Sequence, residues 1–217
     1  MKNILVFIFT LICLGVSAQK NIYESDKFDE LSQDHRNLAI IPFLTNLELK
    51  DDISGAELKD LREKEGYAVQ DALETYFSKR KKKKKFSVEF QNTKNTNAIL
   101  KQNGISYDNI DVYGVKELAQ ILEVDGIISG TLDLNVLLSK GVPTEFSLLD
   151  YINGDANYGR IGVKISDGMT GKLLWKYEKQ INKKSGKNTT DLIDLMMKLA
   201  SRKFPYDRER PRDRKKN

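Results

Sequence analysis

The sequence predicts one α/β domain (α+β in the order of its elements), with helices packed against a mixed sheet of four or five strands. Three patterns support this fold class. Apolar residues recur at helical spacing over 56–78, alternate with polar residues over 128–138, and alternate again in both arms of a hairpin over 161–177. No internal repeat is visible. This order of elements favours a single sheet with helices packed on it.

The first half of the domain begins with a short apolar run, Leu38 to Phe43, which is typical of a strand buried on both faces. Pro42 cannot donate a ladder hydrogen bond, so we expect it at the end of that strand. The long helix over 56–78 contains Gly66, where a bend is possible. Alternation over 86–90 then predicts a half-buried strand.

The second half begins with two short helices, predicted over 92–102 and 115–123. The clearest strand, over 128–138, follows them, and a long loop over 140–159 separates it from the hairpin. A last helix is predicted after Asn188, a suitable capping residue. These elements define a domain over 38–206.

The amino terminus has the features of a secretory signal peptide over 1–18. Lys2 precedes an apolar run of 13 residues, Ile4 to Val16, and Val16-Ser17-Ala18 forms a small-residue cleavage site. A membrane-spanning helix needs about 20 apolar residues, so cleavage is favoured over a permanent anchor. We therefore expect an exported protein, periplasmic or outer-membrane-associated, without a transmembrane segment in its mature chain. A polar lead-in over 19–37 would precede the domain.

Two basic segments dominate the charge pattern. The first is an unbroken run of seven cations, and the second is a tail over 207–217, predicted to be disordered. The chain carries +5; removing Lys2, the seven charges of the run and the net +3 of the tail leaves −6 on the remaining body. The predicted partner-binding residues are Lys79, Arg80, Lys81, Lys82, Lys83, Lys84 and Lys85 in the run, with Arg208, Arg210, Arg212 and Arg214 in the tail.

Catalytic and cofactor motifs are missing from the sequence. The one histidine, His35, lies in the polar lead-in, where we expect it to be solvated. The one cysteine, Cys13, lies in the signal segment and follows Ile12 rather than the small residue that precedes a lipidated cysteine. Glycines near Lys172 lack the spacing of a phosphate loop. We therefore predict no enzyme activity, no catalytic residues, no metal site and no cofactor.

Three strings in order resemble the periplasmic α/β domain of the curli secretion channel family. They are Ala39 to Phe43, Glu117 to Gly130, and Ile161 to Trp175. Related folds occur in outer-membrane lipoprotein activators of peptidoglycan synthases and in the amino-terminal domain of the Tol–Pal translocation protein. The resemblance implies an envelope-facing domain that binds other proteins. It departs from the channels in lacking their lipidated cysteine and convincing membrane hairpins.

The leading functional hypothesis is a non-enzymatic interaction or assembly module of the bacterial cell envelope. Its partners would be envelope proteins or an anionic lipid or glycan surface, and not nucleic acid. One alternative is an oligomeric outer-membrane secretion channel component related to the curli exporter. A second is a carboxylate-based envelope enzyme, for which two acids would have to meet in one cleft.

Overall fold

The computed structural model describes residues 22–49, 53–81, 86–138, 157–182, 187–200 and 204–207, with no description of the side chains at 81, 157 and 200. Five α-helices occur in these residues. They are α1 (Phe28–Ser32), α2 (Gly55–Lys81), α3 (Thr93–Gln102), α4 (Val115–Leu122) and α5 (Thr189–Ala200). A short 3-10 turn, Ile110–Val112, connects α3 to α4.

One mixed sheet contains the seven strands found in the described ranges. They are β1 (Ile22–Glu24), β2 (Asn37–Ile40), β3 (Leu44–Leu47), β4 (Glu89–Phe90), β5 (Gly126–Leu134), β6 (Asn157–Asp167) and β7 (Leu173–Asn182). The order is β1-β7-β6-β5-β2-β4, and β3 continues the line of β2 beside β5. The β2, β3 and β4 pairings are parallel, whereas β6, β7 and β1 form the antiparallel half.

An irregular segment at 41–43 divides one long parallel strand into β2 and β3. Ile40 pairs with Ile128 and Leu44 pairs with Thr131, so β3 resumes one residue out of step with β5. A hydroxyl bridges this break, because Tyr107 Oη donates to the Phe43 carbonyl at 3.1 Å and accepts from the backbone N–H of Thr45 at 2.8 Å. The predicted position of Pro42 at a strand end is confirmed.

Two hydrophobic clusters lie on opposite faces of the sheet. The larger cluster joins the sheet to α2 and α5 and contains Trp175, Phe77 and Ile193. The smaller one joins the sheet to α3 and α4 and contains Ala39 and Ile127. Strand β2 supplies side chains to both clusters, because successive side chains point to opposite faces of a strand. Its predicted burial on both faces is therefore confirmed.

The predicted fold class is confirmed, but the sheet has more strands than the four or five expected. Strand β1 falls in the polar lead-in and pairs with β7, and β3 lies beyond the proline break. Both are short and weakly patterned, which is why periodicity missed them. The predicted strand over 86–90 was too long, since only Glu89–Phe90 form β4.

The returning arm of the hairpin also differs from its prediction. Leu173 was expected to face the core with Trp175 and Tyr177, but it is 36% exposed and Leu174 is buried instead. A register shift between Ile165 and Ser166 causes this, because one extra residue in a strand reverses the faces beyond it. The hairpin itself, β6 with β7, is confirmed.

Candidate functional site

The basic run starts in the last turn of α2, and an aromatic cluster packs against this end of the helix. The Phe77 ring stacks on Phe90 with centroids 4.2 Å apart and contacts Phe86 and Phe204 edge-on or tilted at 5.4 Å. Phe204 in turn meets Trp175 of β7 at 5.6 Å. Aromatic contacts of this kind add to the stabilisation from burial alone. The end of α2 and the segment 204–207 are therefore packed on one common core.

Backbone pairing fixes Asp207, the first residue of the basic tail, beside Phe86. Phe86, which directly follows the run, forms an antiparallel bridge with Asp207. The Ser87 N–H donates to the Tyr206 carbonyl at 2.9 Å. The tail was predicted to be disordered from residue 207, but this pairing holds Asp207 against the domain; residues 208–217 lie outside the described ranges.

An ion pair connects the run directly to the base of the tail. Arg80 Nη2 donates to Asp207 Oδ2 at 2.6 Å, and the Asp207 side chain is only 3% exposed. The Arg80 guanidinium lies 5.6 Å from the Tyr76 ring centroid and 5.7 Å from that of Phe86. A cation above aromatic faces is attracted to them. Arg80 therefore attaches the carboxyl-terminal segment to α2.

His35 anchors the same segment from the other side, and its predicted solvation was wrong. It is 7% exposed, with Nδ1 2.6 Å from the Tyr206 hydroxyl and Nε2 2.9 Å from Asp167 Oδ1. The Asp167 carboxylate can only accept, so Nε2 donates to it, and Nδ1 shares the other hydrogen bond with the Tyr206 hydroxyl. The other Asp167 oxygen accepts from the backbone N–H of Thr170 at 2.7 Å and from its hydroxyl.

Electrostatics indicate that this Tyr-His-Asp chain is structural. Burial strongly raises the pKa of the Tyr206 hydroxyl, and the carboxylates of Asp167 and Asp125 raise it further. Burial also acts to raise the pKa of Asp167, but hydrogen bonds from Thr170 and His35 outweigh it and leave that pKa below its ordinary value. A nucleophile would need a depressed pKa and access to substrate. Tyr206 is 3% exposed and has neither.

The structure describes three of the predicted site residues, and the others lie outside the described ranges. Lys79 is on the last turns of α2, with a side chain 62% exposed and its Nζ 3.9 Å from Asp194 Oδ2. Arg80 is engaged with Asp207, and Lys81 is the last residue of α2. The remaining predicted residues lie outside the described ranges: Lys82, Lys83, Lys84, Lys85, Arg208, Arg210, Arg212 and Arg214. Their role in partner binding stays a prediction, as does the signal peptide over 1–18.

Sequence reasoning missed Tyr206, Asp207 and His35 as anchors. The contacting side chains are 171 residues apart for His35 and Tyr206, and 127 apart for Arg80 and Asp207. No local spacing signals contacts of that separation. The available signal was compositional, because Phe204 and Tyr206 are aromatic residues in an otherwise polar and charged terminus.

Within the described residues, no helix combines the length and apolarity that a membrane crossing requires. The same residues contain no group of three or more histidine, cysteine, aspartate or glutamate side chains arranged to hold a metal ion.

Comparison with known proteins gives structural similarities only. No protein-family model matches the chain, and no curated protein matches it. Lipoprotein GNA1162 from Neisseria meningitidis is 16% identical, with a TM-score of 0.47 over 76% of this chain and 96% of that one. The LpoB C-terminal domain from Escherichia coli is 10% identical, with a TM-score of 0.36 over 71% and 93%. The PelC dodecamer from Paraburkholderia phytofirmans is 10% identical, with a TM-score of 0.31 over 77% and 87%. These similarities do not assign the chain to a family.

Proposed function

We propose that this protein is a non-enzymatic interaction module of the bacterial cell envelope, whose two basic segments bind one anionic partner surface. The observation that carries the proposal is the junction of Arg80, Phe86 and Asp207, where the described ends of both segments meet. A junction of this kind supports joint action, because two weak cationic segments joined at one point bind a shared surface more tightly than either alone.

The chemistry of the chain supports a binding role over catalysis. His35, the one histidine, has both ring nitrogens engaged in the buried contacts to Tyr206 and Asp167. The apolar run and small residues over 1–18 favour export to the envelope. Assembly with other envelope proteins is the part of the proposal that rests on the sequence resemblance to the curli secretion channel family.

Binding to lipid vesicles tests the electrostatic part. The full mature chain would be compared with a variant carrying glutamine at each position from Lys81 to Lys85 and lacking 208–217. This variant retains Arg80 and Asp207, so the anchoring ion pair is preserved. Vesicles containing anionic phospholipid should bind the parent chain, and raising the salt from about 0.05 M to about 0.3 M should weaken that binding through screening. The variant should lose most of the binding.

A control variant removes five positive charges elsewhere, as many as the glutamines from Lys81 to Lys85 remove. Lys94, Lys101, Lys116, Lys172 and Lys187 are all exposed and lie outside both basic segments. Glutamine at these five positions should leave vesicle binding nearly unchanged. Equal losses in the two variants would show that the position of the removed charges does not matter, and undiminished binding by the first variant would refute the assignment to the basic segments.

A further inference from the structure

A second feature of the molecule, independent of the basic segments, is a cavity of about 430 Å³ at the carboxyl ends of β3 and β5. Ligand sites in proteins occupy clefts of about 300–1,000 Å³, and in open α/β sheets they lie beyond the carboxyl ends of parallel strands. The lining of this cavity is mainly polar; Leu47 and Leu134 are its apolar members. A hydrophobic ligand is therefore disfavoured, and a polar one fits.

One wall of the cavity is a row of polar residues aligned across four strands. Asn46 pairs with Asp133, Asp133 with Arg160, and Arg160 with Gln180, so the row crosses β3, β5, β6 and β7. Asn46 Nδ2 donates to Asp133 Oδ1 at 2.9 Å. Because sheet register fixes all four positions, this wall is pre-organised, as a specific binding site requires.

Close packing beside the row also keeps the wall rigid. Gly159 of β6 adopts φ +140° next to a register shift, and a Cβ there would lie 2.0 Å from the Asp133 carbonyl oxygen. Only glycine permits this approach of the two strands without a shift of the backbone.

Two arginines of the cavity provide hydrogen-bond donors that the described part of the chain does not use. Neither the Arg62 side chain of α2 nor the Arg160 side chain of β6 forms a hydrogen bond or an ion pair with the described residues. Arg62 Nε is moreover shielded from solvent without an acceptor. Leaving a buried donor unsatisfied costs about 1–3 kcal/mol, more for a charged group. An acceptor oxygen of a ligand cannot reach the shielded Nε, but at the terminal nitrogens of either guanidinium group it would supply a partner that the described residues do not.

We propose that this cavity binds a carboxylated saccharide, such as a uronic acid unit of an acidic glycan. A guanidinium group matches the two oxygens of a carboxylate, which assigns the acidic group of the ligand to Arg62 and Arg160. Asn46 and Gln180 have amides suited to sugar hydroxyls, and Glu48 has an acceptor carboxylate. Glu48 and Asp133 balance the two arginines, so a ligand with one carboxylate per sugar unit fits better than a phosphate, which concentrates its charge on one group.

Binding of small soluble probes to the full mature chain tests this proposal. The probes are digalacturonate, its neutral counterpart digalactose, and inorganic phosphate, each measured by calorimetry at about 0.3 M salt to screen the basic segments. Digalacturonate should bind with a Kd of about 1 mM or tighter, and the other two should bind at least about tenfold more weakly. Arg160→Gln changes an exposed residue and should weaken binding at least about fivefold.

Controls separate this site from folding defects and from the basic segments. Arg62→Gln should weaken binding as well, and its thermal unfolding shows whether the variant is folded; if it is not, Arg160→Gln decides alone. Lys101→Gln, on the exposed side of α3, should bind like the parent. The variant with glutamine from Lys81 to Lys85 and no tail should also retain binding, whatever its affinity for vesicles.

Several results would overturn the proposal. Equal affinity for the neutral disaccharide would remove the role of the carboxylate, and equal affinity for phosphate would indicate a general anion site. Undiminished binding by Arg160→Gln, loss of binding in the variant without basic segments, or no binding of digalacturonate at all would each refute the site.

Discussion

At the scale of single residues, His35 is the side chain on which the attachment of the carboxyl-terminal segment depends. It connects Tyr206 to Asp167, and Asp167 is tied to the hairpin turn through Thr170. His35, Asp167 and Tyr206 are all buried, and each has a hydrogen-bond partner. In such surroundings, removing one member leaves another unsatisfied and destabilises the fold by more than the bond itself contributed.

Asp167→Asn should lower the free energy of unfolding by about 1.5–3 kcal/mol at pH 7, because it removes charge-assisted hydrogen bonds. The lowered pKa of Asp167 sets the sign of the pH dependence. A carboxylate with a lowered pKa stabilises the fold above its unfolded-state pKa, about 3.9, and that contribution disappears as the pH falls through the folded-state value. In urea unfolding, the free energies of unfolding of the parent and of Asp167→Asn should therefore differ less at pH 3 than at pH 7.

Asp111→Asn serves as its control, since Asp111 is exposed. It should leave stability nearly unchanged at both pH values. An Asp167→Asn deficit that stays constant between pH 7 and pH 3 would contradict the role given to its ionised form.

Gly130 is a position where close neighbours leave no room for a side chain. A Cβ at this position of β5 would lie 2.1 Å from both the Gly162 carbonyl oxygen and Phe43 Cε1. Gly130→Ala should therefore destabilise the protein by about 1–3 kcal/mol through overpacking. Gly55→Ala, where nothing lies within 4 Å, should be neutral or slightly stabilising in thermal unfolding. Equal effects of the two changes would show that both the Phe43 ring and the Gly162 backbone move aside freely.

At the scale of elements, α2 and the segment 204–207 behave as one unit because Arg80 and Asp207 join them. A double-mutant cycle with Arg80→Met and Asp207→Asn should give a coupling free energy of about 1–3 kcal/mol in urea unfolding, since the pair is largely buried. Lys79 and Asp194 provide the comparison: their side chains join α2 to α5 at 3.9 Å and are well exposed. Their coupling should be indistinguishable from zero.

The sequence predicted elements far better than it predicted their contacts. Helices α2, α3, α4 and α5 follow from apolar spacing and from caps, and the expected cap at Asn188 is confirmed by its Oδ1 accepting from the Asp191 N–H at 3.0 Å. Periodicity contains no information on which distant residues meet. The burial of His35, the attachment of Asp207 and the alignment of Asn46 with Asp133 depend on sheet order and register, which single-sequence patterns do not encode.

At the scale of the whole molecule, charge is divided between a body of −6 and two cationic segments. An anionic partner would be repelled by most of the surface and attracted to the region where the segments leave the domain. The junction of Phe86 with Asp207 brings the described ends of both segments together there. Under the proposed function, the distance between the two basic segments should affect the affinity for an anionic partner as much as their charge does.

Inserting about 20 glycine and serine residues after Asp207 should test this separation without changing any charge. A flexible linker of that length lowers the effective concentration of the tail near the run, so affinity for anionic vesicles should fall several-fold. The same insert added after Asn217 leaves the tail at its junction and should have little effect. If both inserted proteins bind like the parent chain, the two segments act independently, and the shared anchor at Arg80 and Asp207 stabilises the fold without organising the binding surface.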